Sequence, residues 1–340
     1  MLPLLLNGEG GHAGVLNLPR LTSSAHAKGP VVAAAPKQAL EQAMGAYKRG
    51  DYDAAVTAFQ LVAARGDAYQ RFLSEFYLGR IYADTAGPKT DHALAYMLLR
   101  RLADEHADFD PDDLQRAPYV AKALTTVAIY VRDGLPEIAL KPNPELGFEW
   151  LRHAATFFNE PDAQFEVARE DIRSDAQRKT GLHFLQKLVK EGHPGAQAVM
   201  AELLSRGRYV PANPGEALAL VTMAVENASP SDRIWIEDIY QQIYCASPAD
   251  VRERATAVSM SWRRSFARPR SPIEQPMVVA RRDDMTAARM CSNGERLDLA
   301  RPAVSPPTYV GGVPMTPPDA LGIMPSGMTV PPSAGKGPSR

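Results

Sequence analysis

The chain has 340 residues, 38 of them Lys or Arg and 39 Asp or Glu, for a formal net charge of −1. Such a balance supplies no field for nucleic acid or an anionic membrane surface, and no apolar run approaches the roughly 20 residues of a helical membrane span. The two cysteines, Cys245 and Cys291, have no metal or redox spacing of the C-x-x-C kind, and whether they pair stays open. Residues 1–35 are rich in Gly, Ala, Pro and Ser and carry no periodicity. They read as a disordered N-terminus or as a signal segment. Residues 1–6 fall short of the roughly 7–15 apolar residues of a secretory core, yet Ser23-Ser24-Ala25-His26-Ala27 has the small-x-small pattern of a signal-peptidase site.

From Pro36 the pattern changes. Ala39, Leu40, Ala43, Met44 and Tyr47 form the i, i+3, i+4 stripe of an amphipathic helix that Gly50-Asp51 ends. Ala54, Ala55, Ala58, Phe59 and Val62 form a second stripe that stops at Gly66. This helix-turn-helix unit recurs. Residues 76–82 (Phe-Tyr-Leu-Gly-Arg-Ile-Tyr) precede a helix over 91–99 and align with residues 124–130, while residues 163–168 align with 196–201 at an offset of 33. The second helices align Trp150 with Phe184 at an offset of 34, and Leu220 follows 36 later. Offsets in the mid-thirties are what two helices plus two turns require. Breakers such as Gly87-Pro88, Gly134, Pro161, Gly207 and Pro211 fall between the stripes, and Pro144 and Pro214 fall where a second helix begins. An insertion over residues 108–117 stretches one repeat. Its Asp108, Asp110, Asp112 and Asp113 lack the central glycine and closing glutamate of a calcium loop. They read as a helix start, with Asp110 as cap and Pro111 at the first helical position.

Small residues at Gly79, Ala128, Ala168 and Ala201 let the helices of a hairpin approach closely. The aromatics Tyr82, Tyr130, Trp150 and Phe184 fill the space between hairpins, and Gly207 closes a turn. One hairpin cannot bury its own stripe, whereas a stack makes a continuous core. The fold class is therefore all-α: a right-handed superhelical solenoid of about six hairpins with disordered termini. Residues 232–244 and 249–262 make the last hairpin, with Ser231 and Ser247 as helix caps and the final helix as a terminal cap with a wet outer face. After residue 266 thirteen of the 29 prolines follow, with Tyr309 the only aromatic. That composition cannot offset its ordering entropy, and only residues 283–298 keep some helical pattern. The domain division is 1–35, a repeat body over 36–266, and a proline-rich tail over 267–340.

The pattern resembles the Sel-one-like repeat, a relative of the tetratricopeptide repeat. Tyr77, Leu78, Gly79, Tyr82, Asp91, Ala93 and Tyr96 carry the resemblance in one repeat, and Ala196, Ala201, Leu204, Gly207, Val210, Pro211, Asn213, Pro214, Ala217 and Ala224 in another. Residues 169–174 depart from it, being too short for the usual Gly-rich loop. The order of features also resembles the ExoR family of exopolysaccharide-synthesis regulators in alphaproteobacteria. The matching stretches are residues 46–56 (Ala-Tyr-Lys-Arg-Gly-Asp-Tyr-Asp-Ala-Ala-Val), Asn143-Pro144-Glu145 leading to Trp150, Gly192-His193-Pro194-Gly195, and Trp235-Ile236-Glu237-Asp238. That resemblance implies a periplasmic protein that binds the sensing region of a membrane histidine kinase and restrains it, and hence removal of the segment ending at Ala27.

No enzyme motif is present: no G-x-S-x-G, H-E-x-x-H, phosphate loop or dinucleotide fingerprint. The expectation is a non-enzymatic binding protein with no cofactor, no metal, no catalytic residue, no nucleic-acid partner and no insertion into a membrane. The alternatives are a cytoplasmic or envelope scaffold and, more remotely, an envelope hydrolase. Inward positions of the first helices pack the core, so the intervening polar residues Arg80, Lys122, Glu166 and Glu202 are the candidate partner contacts on a concave face. Trp150 reads as core, Phe157, Phe158 and Trp235 as candidate anchors, and His153, His183 and His193 as surface or rim histidines.

Overall fold

The computed structural model describes residues 36–85, 87–106, 109–229, 232–265 and 289–297. Twelve α-helices lie among them, in chain order α1 (Pro36–Arg49), α2 (Tyr52–Arg65), α3 (Ala68–Ala83), α4 (His92–Glu105), α5 (Ala117–Asp133), α6 (Pro144–Thr156), α7 (Pro161–Asp171), α8 (Arg178–Lys190), α9 (Pro194–Arg206), α10 (Pro214–Asn227), α11 (Arg233–Ala246) and α12 (Ala249–Ser265). From α1 to α11 each helix packs on the next, which makes the array a helical-repeat solenoid. One core runs through α1–α7 and another through α7–α12, and Phe184 on α8 touches both.

Local chemistry sets the helix starts. Asn143, Glu160, His193 and Asn213 each precede a proline that occupies the first helical turn. Each also accepts a hydrogen bond from a backbone N–H three residues on, at 3.1, 2.6, 3.1 and 3.2 Å respectively. Proline suits that turn because it has no N–H to orphan there, and such a cap contributes about 1 kcal/mol. The chain turns through left-handed backbone at Gly134 (φ +78°) and Gly207 (φ +63°), where a β-carbon would be strained. Close helix crossings sit at Gly79, where a Cβ would stand 2.6 Å from Leu99 Cδ2, and at Gly147, where it would stand 2.5 Å from Arg132 Cβ and 2.7 Å from its Cα.

Four expectations change. Pro111 opens no helix: the Asp110 carboxylate accepts from the Asp112 N–H (2.9 Å) and that of Asp113 from Gln115 and Arg116, so the insertion is spent in consecutive turns and α5 starts at Ala117. Short carboxylates that bond their own backbone compete with the helix in this way. Ser247 does not cap α12, because its hydroxyl donates to the Ile243 carbonyl at 2.8 Å; Ser231 and Asp108 lie outside the described residues. The last two helices do not close a tight hairpin. α12 packs on α10, with Ala255 and Trp262 buried among Leu220, Val221 and Met223. Finally, residues 289–297 are not helical. They form a short strap, bridged between Met290 and Arg296 around Gly294. The strap is joined to α11 by a disulfide between Cys245 and Cys291, whose Cα atoms are 5.5 Å apart. Arg289 holds Glu237 (3.3 Å) and Asp238, and Arg252 grips both oxygens of Glu295 at 2.7 and 2.9 Å. The N-terminal expectations, the signal segment included, and most of the tail lie outside the described residues.

Candidate protein-binding face

The odd-numbered helices meet directly across successive hairpins. Their contacts are polar at the N-terminal end of α7. Pro161 at the first position places Glu160 at the cap and Asp162 in the first turn. The Lys122 ammonium, from α5, reaches Asp162 Oδ2 at 2.5 Å and Glu160 Oε1 at 3.4 Å. Glu160 also takes the Thr125 hydroxyl (3.1 Å) and the Ala163 N–H (2.6 Å). On the other side Asp162 meets His193 Nε2 at 3.1 Å. Because the Ala196 N–H donates to His193 Nδ1, that nitrogen accepts and Nε2 carries the proton that Asp162 receives. Two residues from α5, the cap and first turn of α7 and the cap of α9 thus form a single polar network across three hairpins.

Burial pushes the Glu160 carboxyl above its ordinary range, with Lys122 opposing. Burial acts the same way on Asp162, but Lys122 and His193 override it and hold that carboxyl well below its usual range. Lys122 is raised: burial would lower it, and Asp162 and Glu160 outweigh burial. The Glu160 side chain is 5 % exposed and that of Asp162 is 47 % exposed, so solvent screens much of the Asp162 interaction and little of that at Glu160. One turn further along, Arg132 on α5 holds Glu166 on α7 at 2.6 Å, and Arg169 shares the same carboxylate at 3.3 Å.

Beyond Arg169 the contacts turn apolar. The end of α7, α9 and α11 enclose a groove of about 250 Å³ with Ile172, Val199 and Leu203 in its lining. Trp235 forms one wall, its ring stacked on Phe165 (centroids 6.4 Å apart, planes 15° apart) and its indole N–H bonded to Asp232 at 3.2 Å.

No family model matches the sequence. Over 219 residues, 64 % of this chain and 77 % of the relative, it is 27 % identical to the exopolysaccharide production negative regulator of Rhizobium leguminosarum bv. viciae. It is 26 % identical, with the same coverage, to the protein of that name from Rhizobium meliloti (strain 1021). The chain is similar to both regulators over the same length of sequence. Among solved structures it is similar to c5321, a protective antigen of uropathogenic Escherichia coli with an SLR fold (TM-score 0.41, 20 % identity). That match covers 68 % of this chain and 54 % of the antigen, so the chain spans about half the antigen's length. Pseudomonas aeruginosa 5086 is matched at a TM-score of 0.37 and 16 % identity, over 72 % of this chain and 97 % of that one.

The four polar residues singled out from the sequence fall one on each of α3, α5, α7 and α9, and the structure engages them differently. Lys122 and Glu166, 22 % and 15 % exposed, are tied into the ion pairs above. Arg80 lies near enough to oppose the raised state of Lys122. Glu202 lines the groove and pairs with Arg206 at 2.9 Å. Trp150 is buried under Arg100, whose guanidinium lies 5.5 Å from the ring centroid. Tyr130 bonds His92 at 2.8 Å, burial pushes its phenol up to about 12, and Tyr82 meets Gln60 at 3.4 Å. Phe157 is 43 % exposed and stacks on His153 with centroids 5.0 Å apart, while Phe158 is half-buried. Sequence reasoning missed the roles of Glu160 and Asp162, and it missed the arginines around the groove. A signal for the latter existed, since Arg173 and Arg206 stand 33 apart, the offset that relates Ala163 to Ala196. Among the described residues no helix is long and apolar enough to cross a membrane.

Proposed function

We propose that this chain is a negative regulator of exopolysaccharide production, that it is not an enzyme, and that it acts by holding a protein partner on the face formed by α3, α5, α7, α9 and α11. Similarity to two regulators of that name over 219 residues is the observation that carries the reading. The geometry supports it. Lys122 and Glu166 fix the spacing of adjacent hairpins, and Glu202 and its groove form the surface offered to a partner, with Arg80 toward the N-terminal end of the same face. An array of hairpins whose odd helices share a face presents an extended surface of this kind.

The compartment proposed is the periplasm, and the partner the sensing region of a membrane histidine kinase. The Cys245–Cys291 disulfide supports export, because such bonds persist in oxidising compartments and are rare in the cytosol. In this reading residues 36–266 are the regulating body and the segment ending at Ala27 is removed.

The test is deletion of the gene, followed by complementation with the full chain. Exopolysaccharide output and kinase-dependent transcription rise in the deletion and return to the original level on complementation. Unchanged output in the deletion overturns the regulatory reading. Alkylation of intact cells, which marks Cys245 and Cys291 only if they are reduced, separately tests the compartment: two free thiols in the native host would place the chain in the cytosol.

A further inference from the structure

The groove between α7, α9 and α11 is apolar inside and basic at its rim. Its lining includes Arg169, Arg173, Arg206 and Arg208, against the single carboxylate of Glu202. In a chain with a net charge of −1 this is a local excess. Arg169, Arg173 and Arg206 lean on Glu166, Glu170 and Glu202, each within one turn of its own helix or the turn that follows, at 3.3, 3.1 and 2.9 Å. The three guanidinium groups keep 45 %, 67 % and 57 % of their side chains exposed. Exposed pairs of this kind are weak and exchange readily for a bidentate carboxylate. Arg208 bonds the Tyr209 hydroxyl at 2.7 Å and meets no carboxylate among the described residues. Its guanidinium and that of Arg178 lie over the Tyr209 ring at 4.7 and 4.1 Å, which holds basic groups along this edge.

The interior has a different character. Trp235 and Ile239 stand half-buried against Val199. The indole is fixed by Asp232 and Phe165, so it is presented without further ordering. A space of about 250 Å³ lies below the range of pockets that enclose whole small molecules, and it suits the side chains of a peptide. Fixed aromatic and arginine side chains side by side are the residue types that dominate binding energy at interfaces.

We infer that this groove docks an acidic segment of a partner protein, seating one apolar side chain against Trp235 and Ile239 while flanking carboxylates take Arg169, Arg173, Arg206 and Arg208. Charge complementarity selects the occupant. The chain's own tail does not fit it, since residues 267–288 carry Glu274, Asp283 and Asp284 against Arg268, Arg270, Arg281 and Arg282, and residues 298–340 carry Asp298 and Asp319 against Arg301, Lys336 and Arg340. The inference rests on the regulatory reading and names the chemistry of the partner's contacting segment.

The test places a photo-crosslinking residue, p-benzoylphenylalanine, at Ile239 of the full chain in its native host, with Met97 on α4 as the control position. Mass spectrometry maps the adduct. The expected result is an adduct to another protein, on a segment with Asp or Glu flanking an apolar residue, absent from the Met97 control. Arg206→Glu with Arg208→Glu lowers its yield at least tenfold, and Arg206→Lys with Arg208→Lys keeps it within about threefold. Circular dichroism and melting of all variants separate loss of charge from loss of fold. The inference is overturned by an adduct to nucleic acid, lipid, a second copy or the chain's own tail. It is equally overturned by a partner segment without carboxylates, by an adduct indifferent to charge reversal, or by no adduct in a strain whose repression is restored. Exopolysaccharide output in the same strains separates the two claims. Unchanged output on deletion removes the regulatory reading, whereas full repression by the charge-reversed chain removes the groove and leaves that reading standing.

Discussion

Replacing Lys122 by Met leaves Glu160 buried beside Asp162 with no cation between them. The ammonium spans 3.4 Å to one carboxylate and 2.5 Å to the other, and Glu160 is only 5 % exposed. Removing one partner of a buried pair costs about 3–5 kcal/mol because the other charge stays behind. Here protonation sets a ceiling. A carboxylate too costly to keep charged takes up a proton, and from an unfolded value near 4.3 that costs about 1.36 kcal/mol per pH unit, or about 3.7 kcal/mol at pH 7. The expected deficit of Lys122→Met is therefore about 2–4 kcal/mol at pH 7, a fall in Tm of about 6–12 °C for a body of this size. The sign of the pH dependence follows from Glu160. Its folded value is already raised, so its burial costs stability above the unfolded value and ceases to cost as pH falls below it. In the variant the deficit accordingly shrinks to about 1 kcal/mol at pH 5. The double variant Lys122→Met with Glu160→Gln recovers part of the loss at pH 7 and loses the pH dependence. Paired urea melts of the original chain and both variants at pH 5 and 7 measure this. A deficit that is the same at both pH values, or below about 0.5 kcal/mol at pH 7, refutes the reasoning.

Four other substitutions probe three separate features. Gly147→Ala drives a methyl into the backbone of Arg132, which cannot step aside, whereas Gly79→Ala meets only the Leu99 side chain. After the helix-propensity gain of about 1 kcal/mol, the first costs about 2 kcal/mol and the second under about 1, and equal melting curves would contradict the crossing geometry. Gln197 is fully buried on α9, and neither of its amide atoms has a hydrogen-bond partner among the described residues, so Gln197→Met raises stability by about 1–2 kcal/mol in a thermal melt. A drop instead would reveal a partner for that amide. Cys245→Ser releases a 46-residue closure worth up to about 4 kcal/mol to the strap. Hydrogen exchange of residues 289–297 then approaches the unprotected rate while α1–α9 keep theirs; protection that persists in the strap would assign its hold to Arg289 and Arg252 alone.

The array was legible because its signal is local and repeated. The stripe through Ala39, Ala43 and Tyr47, the buried Trp150 and the proline starts at Pro144 and Pro214 each follow from spacing within one helix, and each stands in the structure as read. What escaped depends on long-range meeting. Nothing within residues 108–117 distinguishes a helix start from consecutive turns, since aspartate serves both. The strap needed Cys291 to find Cys245 across 46 residues, a pairing that no local spacing announces. α12 has the stripe of a hairpin helix, and its place on α10 follows from packing of Ala255 and Trp262 that no local spacing encodes. The polar network escaped for a related reason. Glu160 and His193 precede prolines, as Asn143 and Asn213 do, and no spacing tells a simple cap from one that also receives a lysine or meets an aspartate of a neighbouring hairpin.

A stack of like hairpins has no intrinsic stopping rule, because each unit leaves an apolar face for the next. Here α12 doubles back onto α10, and the strap is bolted across α11 by a covalent bond and two arginine clamps. Together they act as an end stop. A partner held on the proposed face would meet this covalently fastened edge at its C-terminal end.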